Sequence, residues 1–100
     1  MSAIPKRLKE ARKAAKLSQE KLGFLLGIEE VSASSRMNQY EKGKHVPHVT
    51  LIERLAGILD LPVGYFYTED DDLAHLLVRY HRFKSSDRKK VLAFVDGLGE

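Results

Sequence analysis

The 100-residue chain has no cysteine and no tryptophan. Without cysteine there can be no disulfide, no thiolate-held zinc and no thiol nucleophile. No apolar run approaches the roughly 18–20 residues that cross a bilayer. The opening segment, MSAIPKRLKEARKAAK, lacks the apolar stretch of a secretory signal. There is no internal repeat, no low-complexity segment and no alternating strand pattern. These absences predict an all-α, cytoplasmic protein with no membrane association.

What is present fits one modest core: 43% of residues are hydrophobic and 31% charged. The net charge of +3 is unevenly spread. Residues 1–48 hold ten Lys/Arg against five Asp/Glu, and residues 49–100 hold seven against nine. A basic half suits a polyanion partner, although an ordinary solvated surface explains this much equally well.

Helical spacing organises the chain. A first helix is expected over residues 5–16, opened by Pro5, with Ile4, Leu8, Ala11 and Ala15 on one stripe. Arg12 lies beside that stripe, so its charge needs a partner. A second helix follows Leu17, capped by Ser18, with Leu22, Leu25 and Leu26 inward. Gly23 in its middle costs roughly 1 kcal/mol against alanine; close approach of another helix would repay that. Gly27 suits a left-handed stop. After a turn at residues 28–32, a third helix is expected over residues 33–42, capped by Ser32 or Ser34. Ala33, Met37 and Tyr40 would face inward. Ser35, Asn38, Gln39 and Lys42 would face outward, flanked by Ser34 and Arg36. Such side chains are suited to base edges: amides to adenine, arginine to guanine, serine to either. Two short helices around a tight turn therefore point to a DNA-binding helix-turn-helix.

Four more helices complete the reading. Residues 49–59 carry Val49, Ile52, Leu55, Ala56 and Leu59. A short helix opened by Pro62 would bury Leu61, Val63 and Phe66. Residues 71–83 carry Leu73, Leu76, Leu77, Tyr80 and Phe83, with Asp70, Asp71 and Asp72 complementing the helix dipole. Residues 87–98 carry Val91, Phe94, Val95 and Leu98.

The residues Leu17-Ser18-Gln19-Glu20, Leu22, Gly23, Leu26, Gly27, Tyr40-Glu41-Lys42-Gly43-Lys44, Pro47, Leu55-Ala56 and Leu61 resemble the phage repressor/Cro (XRE-type) helix-turn-helix family. The resemblance spans roughly residues 4–67. It implies a five-helix repressor-like domain over residues 1–68, with two C-terminal helices in residues 69–100 that fold back or dimerise. It implies a sequence-specific transcriptional regulator, a repressor, reading double-stranded DNA as a homodimer. By that resemblance Gln19 contacts the DNA backbone, and Ser34, Ser35 and Gln39 read bases beside Arg36 and Asn38. Lys42, Lys44 and His45 touch phosphates, and Arg12 pairs with Glu41 as scaffold.

Two features depart from the family. It commonly has nine residues between the glycine and glutamate found here as Gly27 and Glu41; this chain has thirteen. The extra four are expected within residues 28–34, lengthening the turn and shifting base reading toward Asn38 and Gln39. Phe24 stands where a polar residue is usual, and is expected to pack under the longer turn or to make an exposed contact.

A second class of function is an antitoxin-like or adaptor module that binds a protein through residues 69–100, with Tyr65, Phe83 and Phe94 forming the surface. An enzyme is the weakest reading, and no cofactor is expected. His45 and His48 fall short of the three or four ligands of a zinc site, so no metal is expected. His75 and His81 do not face each other on one helix.

Overall fold

The computed structural model describes residues 2–99. Its elements are α1 (Ile4–Ala14), α2 (Gln19–Leu25), α3 (Glu30–Glu41), α4 (Val49–Leu59), a 3-10 helix (Val63–Tyr67), α5 (Asp71–Arg82) and α6 (Ser85–Asp96). The fold is all-α, and no helix is long and apolar enough to cross a membrane among the described residues.

One core unites the first five elements. Leu8 of α1, Leu22 and Leu26 of α2, Met37 of α3, Ile52 and Leu55 of α4 and Phe66 of the 3-10 helix are all buried in it. Helical spacing puts each on the inward face of its helix. Ser18 starts α2 as expected: its Oγ accepts the Lys21 N–H at 2.9 Å. His48 starts α4 in the same way, its Nδ1 accepting from the Thr50 N–H at 3.2 Å. At the other end of α4 the chain turns on Asp60, at φ 54°.

Several expected core positions lie outside it. Ala15 follows the end of α1 and is exposed. Leu25, Val49 and Val63 sit on the solvent side of their helices. Tyr65, expected on a partner-binding surface, is instead buried against Phe66, with ring centroids 5.2 Å apart.

The largest correction concerns α3. It begins at Glu30, three residues before the expected start, with no side-chain cap at Glu29. The turn between α2 and α3 occupies only residues 26–29. The four residues beyond the family's usual length are therefore helical, about one extra turn at 3.6 residues per turn. Ser32 and Ser34 lie inside the helix and cap nothing. A buried contact explains why this segment coils: Ala33 lies against Gly23, where an added Cβ would come within 2.8 Å of the Ala33 Cβ. Only a bare backbone on α2 lets α3 approach so closely. Phe24 has no long turn above it; it is 60% exposed, with the Lys21 ammonium 5.5 Å from its ring centre.

The C-terminal helices do not fold back onto the core along their apolar stripes. α5 buries Ala74 and packs Val78 on the core, while Leu73 and Leu76 face solvent. α6 buries no residue at all; Leu92, Phe94, Val95 and Leu98 are exposed. The chain is accordingly elongated, 53 × 28 × 22 Å.

Polar contacts fix this arm instead. Arg7 is only 1% exposed. Its guanidinium donates to the carbonyls of Thr68 and Glu69, both at 2.8 Å, to Asp71 at 2.8 Å and to Glu10 at 3.0 Å. The Tyr65 hydroxyl donates to the other Glu10 oxygen at 2.7 Å. Burial alone would lower the Arg7 pKa, but the Asp71 bond and the charges of Glu10 and Asp71 outweigh it and raise it. Burial and the Glu10 hydrogen bond push the Tyr65 hydroxyl up. Bonds from Lys6 and Arg7 hold the Asp71 carboxyl below its usual range. Farther out, Arg82 donates to the carbonyls of Leu59 and Asp60 at the end of α4. Arg88 of α6 donates to those of Tyr80 and His81 near the end of α5. Arginines thus satisfy the orphan carbonyls of two successive helix ends.

Candidate nucleic-acid interface

The sequence of α3 sets its faces. At 100° per residue, Ala33, Met37 and Tyr40 turn inward, and the first two are fully buried. Opposite them run Val31, Ser35, Asn38 and Lys42, spaced i, i+4, i+7 and i+11. Ser35 and Lys42 are exposed; Asn38 and Gln39 are half-buried. Over about 1.5 Å of rise per residue, this stripe is roughly 16 Å long.

Two contacts hold α3 from behind. The first is the Gly23–Ala33 approach near its N-terminus. The second closes its C-terminus: Arg12 Nε donates to Glu41 Oε2 at 2.6 Å, and Nη2 to Oε1 at 3.1 Å. Arg12 also donates to the Leu17 carbonyl at 2.9 Å. This two-point pair is largely shielded from solvent, so its geometry is held more firmly than that of an exposed pair.

The residues proposed from sequence take up different positions around α3. Gln19, at the first position of α2, donates through Nε2 to Asn38 Oδ1 at 3.3 Å and to Glu41 Oε1 at 3.2 Å. It therefore bridges α2 to the face of α3, and the Asn38 amide NH2 stays free to donate outward. Ser34 lies beside the stripe on the Asn38 side, and Ser35, Asn38 and Lys42 lie on it. Arg36 is turned to the other flank: with Ser32 it lines a hollow against Gly27, Leu51 and Arg54. It also lines a second hollow with Gln39, Tyr40, His45 and Val46.

Lys44 and His45 lie past the end of α3. Gly43, at φ 72°, reverses the chain there, and the Lys44 N–H returns to the Gln39 carbonyl at 2.9 Å. Both side chains are exposed beside the C-terminal end of the stripe. His48 is engaged as the cap of α4, and no cluster of three His, Asp or Glu suited to a metal is found among the described residues.

Two residues escaped the reading of the sequence. Arg7 sits three after Ile4 and four before Ala11, on the core stripe itself; that spacing was the available signal. Val31, expected in the turn, is helical because α3 starts at Glu30. Its phase with Ser35 and Asn38 marks it as part of the outer face.

Residues 6–64 match the family model described as a helix-turn-helix domain. The chain is also similar to the crystal structure of the transcriptional regulator BswR, at 40% sequence identity and a TM-score of 0.91. That match covers 95% of this chain and 94% of the other. No curated protein matches at a significant level. With the Gly23-dependent helix pair, the short turn and the Arg12–Glu41 closure in place, the chain belongs to the XRE-type helix-turn-helix family.

Proposed function

We propose that this protein is a sequence-specific double-stranded-DNA-binding transcriptional regulator, a repressor, that sets α3 in the major groove as a homodimer. The observation that carries this reading is the outer face of α3, whose Ser35, Asn38 and Lys42 stand in register on a helix clamped at both ends. The 40% identity to a transcriptional regulator over nearly its whole length supports it.

Residues 1–68 form the DNA-binding unit in this reading. Lys42, Lys44 and His45 neutralise or hydrogen-bond phosphates and supply affinity. Gln19 meets the backbone at the start of α2 and holds Asn38. Ser34, Ser35, Asn38 and Gln39 discriminate bases, at roughly 1–3 kcal/mol for each good bidentate contact. Arg36, turned to the flank, is assigned to phosphate. No catalytic step has a place in this arrangement.

Residues 69–100 join two copies. One domain covers a short half-site, and a twofold pair covers two half-sites about one helical turn apart. The support is the apolar surface of the arm, with Leu92, Phe94 and Val95 of α6, Leu98 just after it and Leu73 and Leu76 of α5 all exposed. The same surface favours a second reading, in which residues 69–100 hold a different protein in an antitoxin-like pair.

Anisotropy titrations against duplex DNA test the first reading. Binding is expected to weaken steeply with added salt. Asn38→Ala and Gln39→Ala reduce sequence preference, while Lys42→Ala weakens all sequences and flattens the salt dependence. Salt-insensitive, featureless titrations on both genomic fragments and the DNA upstream of its own gene would sink it. Sedimentation equilibrium decides the arm: a concentration-independent monomer removes the homodimer, and co-purification of a neighbouring gene's product favours the second reading.

A further inference from the structure

Val31 is 88% exposed, more than any other large apolar side chain described. Nothing in the core explains it: it points away from Ala33 and Met37. It stands in the first turn of α3, on the stripe that continues through Ser35 and Asn38 to Lys42. Its neighbours one turn along the helix, Ser34 and Ser35, are polar, so it is a single apolar group on a polar face. That is too little for a protein interface, but it matches the size of one methyl group.

Resting on the DNA-binding reading above, we propose that Val31 reads the C5-methyl group of a thymine in the major groove. A recognition helix enters the groove with its N-terminal residues against the base edges. Of the four bases, only thymine presents a methyl there, and an apolar side chain is its complement. Valine has no hydrogen bond to offer, so no other feature of a base edge attracts it.

The local structure suits such a contact. A β-branched side chain on a helix has one strongly preferred χ1 rotamer, so little freedom is lost on docking. The Gly23–Ala33 contact, two residues on, fixes the backbone beneath it. Glu29 and Glu30 precede it at the tip. They repel phosphate and leave the leading end of α3 to base edges, where a carboxylate accepts from the cytosine amino group. The extra turn of α3 is what supplies this position.

The test starts from a high-affinity duplex selected from a random library with the full chain. Each thymine is then replaced singly by deoxyuridine, which lacks only the methyl. Affinities are measured for the wild type and for Val31→Ser and Val31→Ile. At one thymine per half-site the wild type is expected to lose about three- to tenfold in affinity. Val31→Ser binds the thymine and deoxyuridine duplexes within twofold, and Val31→Ile retains the preference. Unchanged thermal midpoints confirm that the variants fold. A wild type indifferent to every replacement, or a preference that survives in Val31→Ser, overturns the assignment while leaving DNA binding intact. Failure of any duplex to be enriched overturns both.

Discussion

α4 and α6 are helices of nearly equal length that each carry several large apolar residues, and they end up in opposite situations. Ile52, Leu55, Ala56 and Leu59 of α4 lie in the core, whereas α6 leaves Leu92, Phe94 and Val95 in solvent, with Leu98 exposed just beyond it. Spacing alone gives each an apolar face; it does not say what covers it. α4 shares one core with buried side chains of α1, α2, α3, the 3-10 helix and α5. α6 is attached near its start by Arg88, which bonds the Tyr80 and His81 carbonyls and lies over the Tyr80 ring, and none of its residues is buried. The body of the protein is closed by packing, and its arm is aimed by hydrogen bonds.

The sharpest way to break this contrast is to cut equivalent apolar groups from the two helices. Leu55→Ala is expected to destabilise by about 3 kcal/mol through lost burial and a residual cavity. In a thermal melt this loss is independent of protein concentration. Phe94→Ala should leave an isolated monomer within roughly 0.5 kcal/mol of the wild type, as exposed substitutions generally do. If α6 pairs two copies, Phe94→Ala instead lowers the midpoint only at concentrations where the wild type self-associates. A concentration-independent loss as large as that of Leu55→Ala would mean that α6 packs on its own core.

Arg7 tests the joint between the two regions. Arg7→Ala removes donors from Thr68, Glu69, Glu10 and Asp71 together. Because the carboxylates remain partly exposed, the expected cost is about 2–3 kcal/mol, at the low end for a buried pair. At roughly 4–8 °C per kcal/mol for a domain of this size, the midpoint falls by more than 8 °C. Amide exchange should show faster opening in α5 than in α4.

Gly23→Ala probes the body alone. A methyl within 2.8 Å of the Ala33 Cβ forces α2 and α3 apart. The strain of about 1–3 kcal/mol is partly offset by the roughly 1 kcal/mol gained in helix propensity. Net destabilisation near 1 kcal/mol is expected by denaturant titration. Loss of DNA sequence preference is expected to exceed what that stability change explains.

Acid provides the smallest effect. The folded-state pKa of Asp71 lies below its ordinary value of 3.8, through the bonds from Lys6 and Arg7. Its contribution to stability is therefore complete above pH 3.8 and is lost as the pH falls through the lowered value. Asp71→Asn should lower the midpoint slightly at neutral pH and converge with the wild type in acid. Parallel curves across that range would count against the tie.

Much of the body is legible in the sequence. Ser18, Gly23 and Gly27 marked α2, and the Arg12 position beside an apolar stripe called for the acidic partner that Glu41 supplies. Four features were not legible, each for a physical reason. The start of α3 carries no side-chain cap, so Ser32 and Ser34 attracted a boundary that the Gly23–Ala33 contact places earlier. Arg7 has the spacing of a core residue, but only tertiary contacts reveal the carbonyls that make burial tolerable. The face of α5 that packs, Ala74 and Val78, is less apolar than the one exposed, because Arg7 and Arg82 fix the orientation of the helix. The bonds of Gln19 to Asn38 and Glu41 join separate helices and leave no mark in the spacing of the sequence.

The lengthened α3 bears on how such a protein can change over evolution. Four residues advance a helix by about 40° beyond one full turn, so every face returns close to its former direction. An insertion of that size keeps Ala33 under Gly23 while Glu41 still meets Arg12. One or two residues would swing one of those partners by roughly 100–200° and detach it. Among small insertions in this helix, a whole turn is thus the kind that lengthens its outer face without dismantling its mount, and the first new outward position, Val31, is left unconstrained by the core.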